Sequence, residues 1–249
     1  MPAVERALDI LEYCVERNAP VTIQEVTEKF DIPRASAFRI FRTLESRGYL
    51  VNTDKSFRYI TGPRVLLLGN RITHEENLRQ ISNPHLYRLA NETKQTVQLG
   101  VLFGYKVLYI DQIRTTTASD LFIEPTGTPF EVNISAGGKV MVALLPPEKR
   151  ADFIAHAELA SPTVKSVTDR DAFARHLVQV ASQGFAVDDG EFAVGVRCVA
   201  APIRDANGAC VASIGVTGHI SRLTDEALPG LIKATTAAAS AISRDLGFA

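Results

Sequence analysis

Between Asp31 and Gly48, Ala35, Ser36, Arg39, Arg42 and Thr43 gather on one side of a helix turning about 100° per residue. Ala37, Ile40, Phe41 and Leu44 gather on the other. With Arg34 at its start, the first face is small, basic and hydroxyl-bearing. Arginine can donate two hydrogen bonds to the edge of guanine, hydroxyls bond phosphates or bases, and alanine lets a backbone come close. The implied chemistry is the reading of base edges in double-stranded DNA. Lys55 and Arg58, just beyond, suit phosphates and would fix orientation rather than sequence.

Such a face needs a scaffold. Leu8, Leu11 and Val15 give helical periodicity from Val4 to about Glu16, ended by Asn18-Ala19-Pro20. Thr22 and Glu25 have capping-box spacing and open a short helix to about Lys29. After Phe30-Asp31-Ile32-Pro33 the arginine-bearing helix runs to about Arg47, where Gly48 stops it. Tyr49-Leu50-Val51 and Phe57-Arg58-Tyr59-Ile60 flank a polar turn and predict a two-stranded hairpin. Three helices and a hairpin make a winged helix-turn-helix over residues 1–61.

The charges sit accordingly. The chain has 249 residues and a formal net charge of -1, which by itself suggests no polyanionic partner. Yet residues 1–30 carry three basic against six acidic side chains, and residues 31–60 carry six basic against three acidic. With 46% hydrophobic and 22% charged residues, the composition is that of an ordinary globular protein, without fibrous or disordered character. No run approaches the roughly 18 apolar residues of a membrane span, no secretory core leads the chain, and a cytoplasmic location is expected. Cys14, Cys198 and Cys210 are odd in number and lack zinc-ligand spacing, so they are expected as reduced thiols. His74, His85, His156, His176 and His219 are scattered, and neither a metal nor a cofactor is expected.

Val65-Leu66-Leu67-Leu68-Gly69 begins a helical stretch to about His74, read as a linker helix over 62–77 that helps to pair subunits. From 78 to 249, helices alternate with strands. Helices are expected at Pro84 to Glu92, Gly137 to Leu145, Asp169 to Gln183 and Thr224 to about Leu246. Strands are expected at Thr96 to Phe103, Lys106 to Gln112, near Leu121, Phe185 to Val187, Val196 to Pro202 and Ala209 to Val216. Short turns such as Phe103-Gly104-Tyr105 predict a mostly antiparallel sheet with helices on its faces, an α+β fold overall.

At this point the chain resembles the IclR family of bacterial transcription regulators over essentially its whole length. The matching blocks are Arg6-Ala7-Leu8-Asp9-Ile10-Leu11, Ile32-Pro33-Arg34-Ala35-Ser36 with Arg39 and Leu44, and Arg47-Gly48-Tyr49-Leu50 followed by Arg58-Tyr59. More specific are Ser135-Ala136-Gly137-Gly138-Lys139, Gly184-Phe185-Ala186-Val187-Asp188-Asp189-Gly190-Glu191 and Gly195-Val196-Arg197-Cys198-Val199-Ala200-Ala201-Pro202. The resemblance implies a GAF-like effector domain, homodimers that often pair into tetramers, and a small-molecule effector, frequently an organic acid. It places the ligand against Ala136, Gly137, Gly138, Met141, Asp188, Cys198, Gly215 and Thr217. Amides at a helix start can hold a carboxylate, with Val140, Met141 and Val199 expected around an apolar body such as a carboxylated aromatic. Many relatives carry a hydroxyl where this chain has Gly215, which enlarges the expected cavity.

Two other readings exist for the same residues. Cys198 and Cys210, expected on neighbouring strands, could form the redox pair of a GAF-like thiol enzyme or sensor, although Arg197 should point away from Cys198 and leave the thiol unactivated. Asp188 could cap a turn. On the main reading there are no catalytic residues.

Overall fold

The computed structural model describes residues 3–17, 19–53, 57–69, 73–115 and 125–248, with the backbone alone at Gly69 and 73–76. The expected strand near Leu121 and the phosphate contact at Lys55 lie outside the described residues. The chain divides into two compact units, Met1–Glu76 and Asn77–Ala249.

In the first unit, α1 (Ala3–Arg17), α2 (Ile23–Phe30) and α3 (Arg34–Ser46) enclose a core of Ile10, Cys14, Val26, Ala37, Phe41, Leu44 and Tyr59. The Thr22–Glu25 capping box is complete in both directions and starts α2. Asp31, in the left-handed region at φ 49°, ends it. α1 turns differently from the sequence expectation. Ile10 and Cys14 face the core, while Leu8 and Val15 are about half exposed.

The expected two-stranded hairpin is a three-stranded sheet. β2 (Leu50–Asn52) and β3 (Arg58–Thr61) pair as expected, and β1 (Val21–Thr22) adds to the other edge of β3 through Val21↔Tyr59 and Thr22↔Arg58. Two residues are too few for a periodic signal; Tyr59 and Val21 pair because both are buried in the same core. Gly62 sits where a Cβ would lie 2.3 Å from the Gly48 carbonyl, so only glycine admits that crossing. α4 (Pro63–Gly69) follows.

The second unit is a six-stranded antiparallel sheet in the order β6-β5-β4-β9-β8-β7. The strands are β4 (Thr96–Phe103), β5 (Lys106–Ile113), β6 (Pro129–Glu131), β7 (Ala186–Asp189), β8 (Val196–Arg204) and β9 (Cys210–His219). Residues alternate between two cores. Val97, Leu99, Val101, Ala201, Ile203, Ala212, Ile214 and Val216 pack under α5 (Thr73–Thr93) and α9 (Leu228–Asp245). Val107, Cys198 and Ala200 pack with α6 (Ala136–Ala143), α7 (Pro147–His156) and α8 (Arg170–Gln183).

Three further elements depart from the expectation. α5 does not start at Pro84 but runs through it, because Leu78 on one side and Leu86 and Leu89 on the other enter one core at helical spacing. α7, absent from the expectation, starts with Pro147 in its first turn and buries only Phe153. β6 has three residues and, among the described residues, pairs only with β5.

Candidate functional site

On α3 the exposed residues are Arg34, Ala35, Phe38, Arg39, Arg42, Thr43 and Ser46. Arg42 meets Glu45 at 3.3 Å in an exposed pair that water easily opens. Arg39 reaches back to the Ser36 hydroxyl at 3.4 Å. Ser36 and Thr43 flank this face instead of standing at its centre. Together with Arg39, Leu8 and Leu11 they line a groove of about 850 Å³ between α1 and α3, and the Thr43 hydroxyl donates to the Arg39 carbonyl at 2.9 Å. Phe38, missed in the sequence because an aromatic ring is normally assigned inward, is 42% exposed and packs on Phe57, ring centroids 6.5 Å apart. Arg58 is exposed on β3.

In the second unit, strand register brings most of the candidate effector residues together. Asp188 pairs with Cys198, Cys198 with Thr217, and Thr217 with Thr96, so the four stand side by side on the α6 face. Gln98, Gly215 and Ala200 form the adjacent row, and Gly100 and Ser213 pair in the one beyond it. Thr217 donates to the Gln98 side-chain oxygen at 2.9 Å. Thr96 and Ser213 are buried, and their hydroxyl oxygens have no hydrogen-bond partner among the described residues.

α6 begins over this surface. The Ser135 side chain caps it by accepting from the Gly138 amide at 3.0 Å, and Lys139 donates from its amide to the Ser135 carbonyl. Gly138 is therefore not an open donor, which corrects the sequence expectation. Its missing Cβ would lie 2.9 Å from the Val132 backbone, so the glycine serves packing against the 3-10 turn Val132–Ile134. Ala136 and Gly137 supply the remaining amides of the first turn. A Cβ on Gly137 would approach the Ser213 Oγ to 2.7 Å, which places Gly137 directly over the sheet. Met141 and Val140 lie in the α6-side core. Val199 does not: it lies between Cys198 and Ala200, and its partner Val216 belongs to the opposite core.

Asp188 does cap a turn. Its Oδ1 accepts from the Glu191 and Phe192 amides at 2.6 and 3.3 Å. Burial nevertheless pushes its carboxyl up to about 6, with Lys139 pulling the other way. Lys139, which the sequence reading passed over, is 1% exposed and spans from α6 to the Val187 carbonyl at 2.6 Å and the Glu191 carboxylate. A lysine inside the otherwise apolar Ala136–Ala143 segment is the signal that could have found it. Burial raises the Glu191 carboxyl as well.

The thiols are not a redox pair. Cys210 stands opposite Arg204, six residues along β8 from Cys198, so their strand positions are about 20 Å apart, beyond disulfide reach. Burial pushes Cys198 up to about 12 and Cys210 up to about 11, away from reactivity. Arg197 points away from Cys198 and holds Asp189, Asp225 and the Leu223 carbonyl. Among the described residues no cluster of His, Cys, Asp and Glu is arranged to hold a metal, and no helix is long and apolar enough to cross a membrane.

Three helices with a small sheet, an exposed basic second helix of the helix-turn-helix, and a separate α+β unit define a transcription regulator of the helix-turn-helix class. The chain belongs to the IclR family. Residues 3–54 match the IclR helix-turn-helix domain and residues 70–244 the C-terminal domain of the bacterial transcriptional regulator IclR. It is 31% identical over 241 residues to the HTH-type transcriptional regulator BhcR of Paracoccus denitrificans, covering 97% of this chain and 86% of that one. The crystal structure of the Thermotoga maritima IclR superposes with a TM-score of 0.82 at 27% identity, over 98% of each chain. An IclR homologue from Microbacterium hydrocarbonoxydans, solved in complex with 4-hydroxybenzoate, shares the fold with a TM-score of 0.87 at 22% identity, over 98% of this chain and 99% of that one. The family is one of bacterial transcriptional regulators, and this chain is a transcriptional regulator with a helix-turn-helix domain.

Proposed function

We propose that this regulator binds a palindromic operator as a homodimer, able to pair further into a tetramer, and that a small organic acid or carboxylated aromatic sets its operator affinity. Residues 1–61 read DNA, 62–77 link, and 78–249 bind the effector, all in the cytoplasm. The observation that carries the effector reading is a helix start with the Ala136 and Gly137 amides over a buried polar sheet face of Asp188, Cys198, Thr217 and Gln98. Such a surface offers donors and a partial positive charge to a carboxylate, and Gly215 sets no side chain in the path of its body. The complex with 4-hydroxybenzoate of the Microbacterium homologue supports the same ligand class.

On the DNA side, Arg39 and Arg42 reach base edges with Arg34, Ala35 and Ser36 close to the backbone, and Thr43, Lys55 and Arg58 make flanking contacts. Two-fold symmetry places two such helices about 34 Å apart, or a multiple of that, on the operator. A mobility-shift assay with the DNA upstream of the protein's own gene, repeated across a panel of carboxylic acids, tests the whole reading. One acid should change operator affinity, and operator DNA must change that acid's affinity by the same factor. A response confined to neutral or cationic metabolites would remove the acid from the proposal.

A further inference from the structure

Thr96 is fully buried, and its hydroxyl oxygen has no hydrogen-bond partner among the described residues. A buried hydroxyl left unpaired is unfavourable, and such groups in folded proteins are normally met by something. Its position says what that is. Thr96 stands directly across from Thr217, on the α6 face, next in line after Asp188 and Cys198. The other three groups of that row are already engaged: Asp188 with two amides, Cys198 with Thr217, and Thr217 with Gln98.

Building on the acid-effector reading above, we infer that Thr96 is a specificity-determining contact that hydrogen-bonds an oxygen substituent at the end of the effector remote from its carboxylate. Along β9, Gly137 and the helix start stand over Ser213, whereas Thr96 flanks Thr217, four residues or about 13 Å further along. Gly215, without a side chain, lies between them. A carboxylate at the Ala136 and Gly137 amides thus directs the opposite end of the molecule toward Thr96. The effector this fits is a hydroxylated or oxo-substituted acid, with a para-hydroxylated aromatic acid fitting the span better than a two-carbon one.

The test uses the full chain and matched acids that differ in one oxygen at the end remote from the carboxylate: 4-hydroxybenzoate with benzoate, 4-hydroxyphenylacetate with phenylacetate, and 6-hydroxyhexanoate with hexanoate. Binding is measured by calorimetry to wild type, Thr96→Val and Thr96→Ser. Valine keeps the shape and removes an unpaired hydroxyl, so Thr96→Val should melt no lower than wild type. The wild type should prefer the oxygenated member of at least one pair. Thr96→Val should lose about five- to tenfold affinity for that member and none for its deoxy partner, and Thr96→Ser should retain the preference. If acids bind but Thr96→Val weakens both members of a pair equally, or neither, Thr96 is not a contact and the acid reading stands alone. If no acid of the panel binds the wild type, the acid reading fails and takes this inference with it.

Discussion

Replacing Lys139 by methionine removes a charge from the interior while nearly keeping the side chain's length. Lys139 is 1% exposed and bridges α6 to the turn that follows β7, donating to the Val187 carbonyl at 2.6 Å and pairing with Glu191, whose side chain is 12% exposed. Glu191 keeps its place but loses its counter-ion, and a buried charge stripped of its partner costs about 3–5 kcal/mol. For a unit of this size each kcal/mol moves the midpoint by about 2–4 °C, so the melting temperature should fall by roughly 10 °C at neutral pH. The loss should be smaller in acid. Without Lys139 the folded Glu191 carboxyl lies above its unfolded value, so the variant is at its best below the unfolded pKa and loses stability as pH rises through the folded one. Lys139→Met combined with Glu191→Met should recover most of the loss, because no lone charge remains. The turn also carries Asp188, whose Oδ1 accepts from the Glu191 amide, so the single variant should weaken the effector response without altering binding to operator in its absence. Thermal melts at pH 4.5 and 8 give the result. A single variant within 1 kcal/mol of wild type, or a double variant no better than the single one, would refute the buried-pair account.

Other substitutions probe the remaining parts. Arg39→Ala should weaken operator binding by about 1–3 kcal/mol and leave random DNA much less affected, as competition mobility shifts would show; equal losses would make Arg39 a phosphate contact. Asp188→Asn keeps an oxygen for the Glu191 and Phe192 amides. Because the folded carboxyl is raised to about 6, its contribution is favourable below the unfolded value and is lost as pH rises through 6; the variant should gain up to about 3 kcal/mol over wild type at pH 8 and nothing near pH 3, read from melts at both. Gly137→Ala sets a Cβ against the Ser213 Oγ and should cost about 1–3 kcal/mol in a melt, restored in part by Ser213→Gly; an unchanged melting temperature would mean that the helix start can shift away from the sheet.

What the sequence made legible was set by local periodicity. Ala37, Phe41 and Leu44 follow one helical face into the core, and the Thr22–Glu25 capping box needs only a spacing of three, so both were readable without tertiary knowledge. The failures share the opposite cause. β1 is a strand only because Tyr59, 38 residues away, pairs with Val21. α5 passes through Pro84 because Leu78 and Leu89 enter one core, a condition that outweighs a missing backbone donor. In the second unit, residue identities were legible before their directions were. Val199 is expected with Val140 and Met141 around the ligand's apolar body, yet a strand sends adjacent side chains to opposite faces, so it cannot share the Cys198 face.

The same reasoning bears on Gly138. Two glycines at a helix start read as two places where a ligand approaches the backbone, but a serine at the cap position spends one amide internally. Ser135 holds the Gly138 amide while its hydroxyl also meets the Tyr109 hydroxyl at 2.8 Å, so the cap ties α6 to β5 as well as closing the helix. A ligand at this helix start therefore has the amides of Ala136 and Gly137 to use, and its orientation is limited by a helix fixed at its first turn. On the effector reading, the Asp188 turn held by Lys139 is the group beside α6 left to respond to a ligand, because the start of α6 is anchored on both sides.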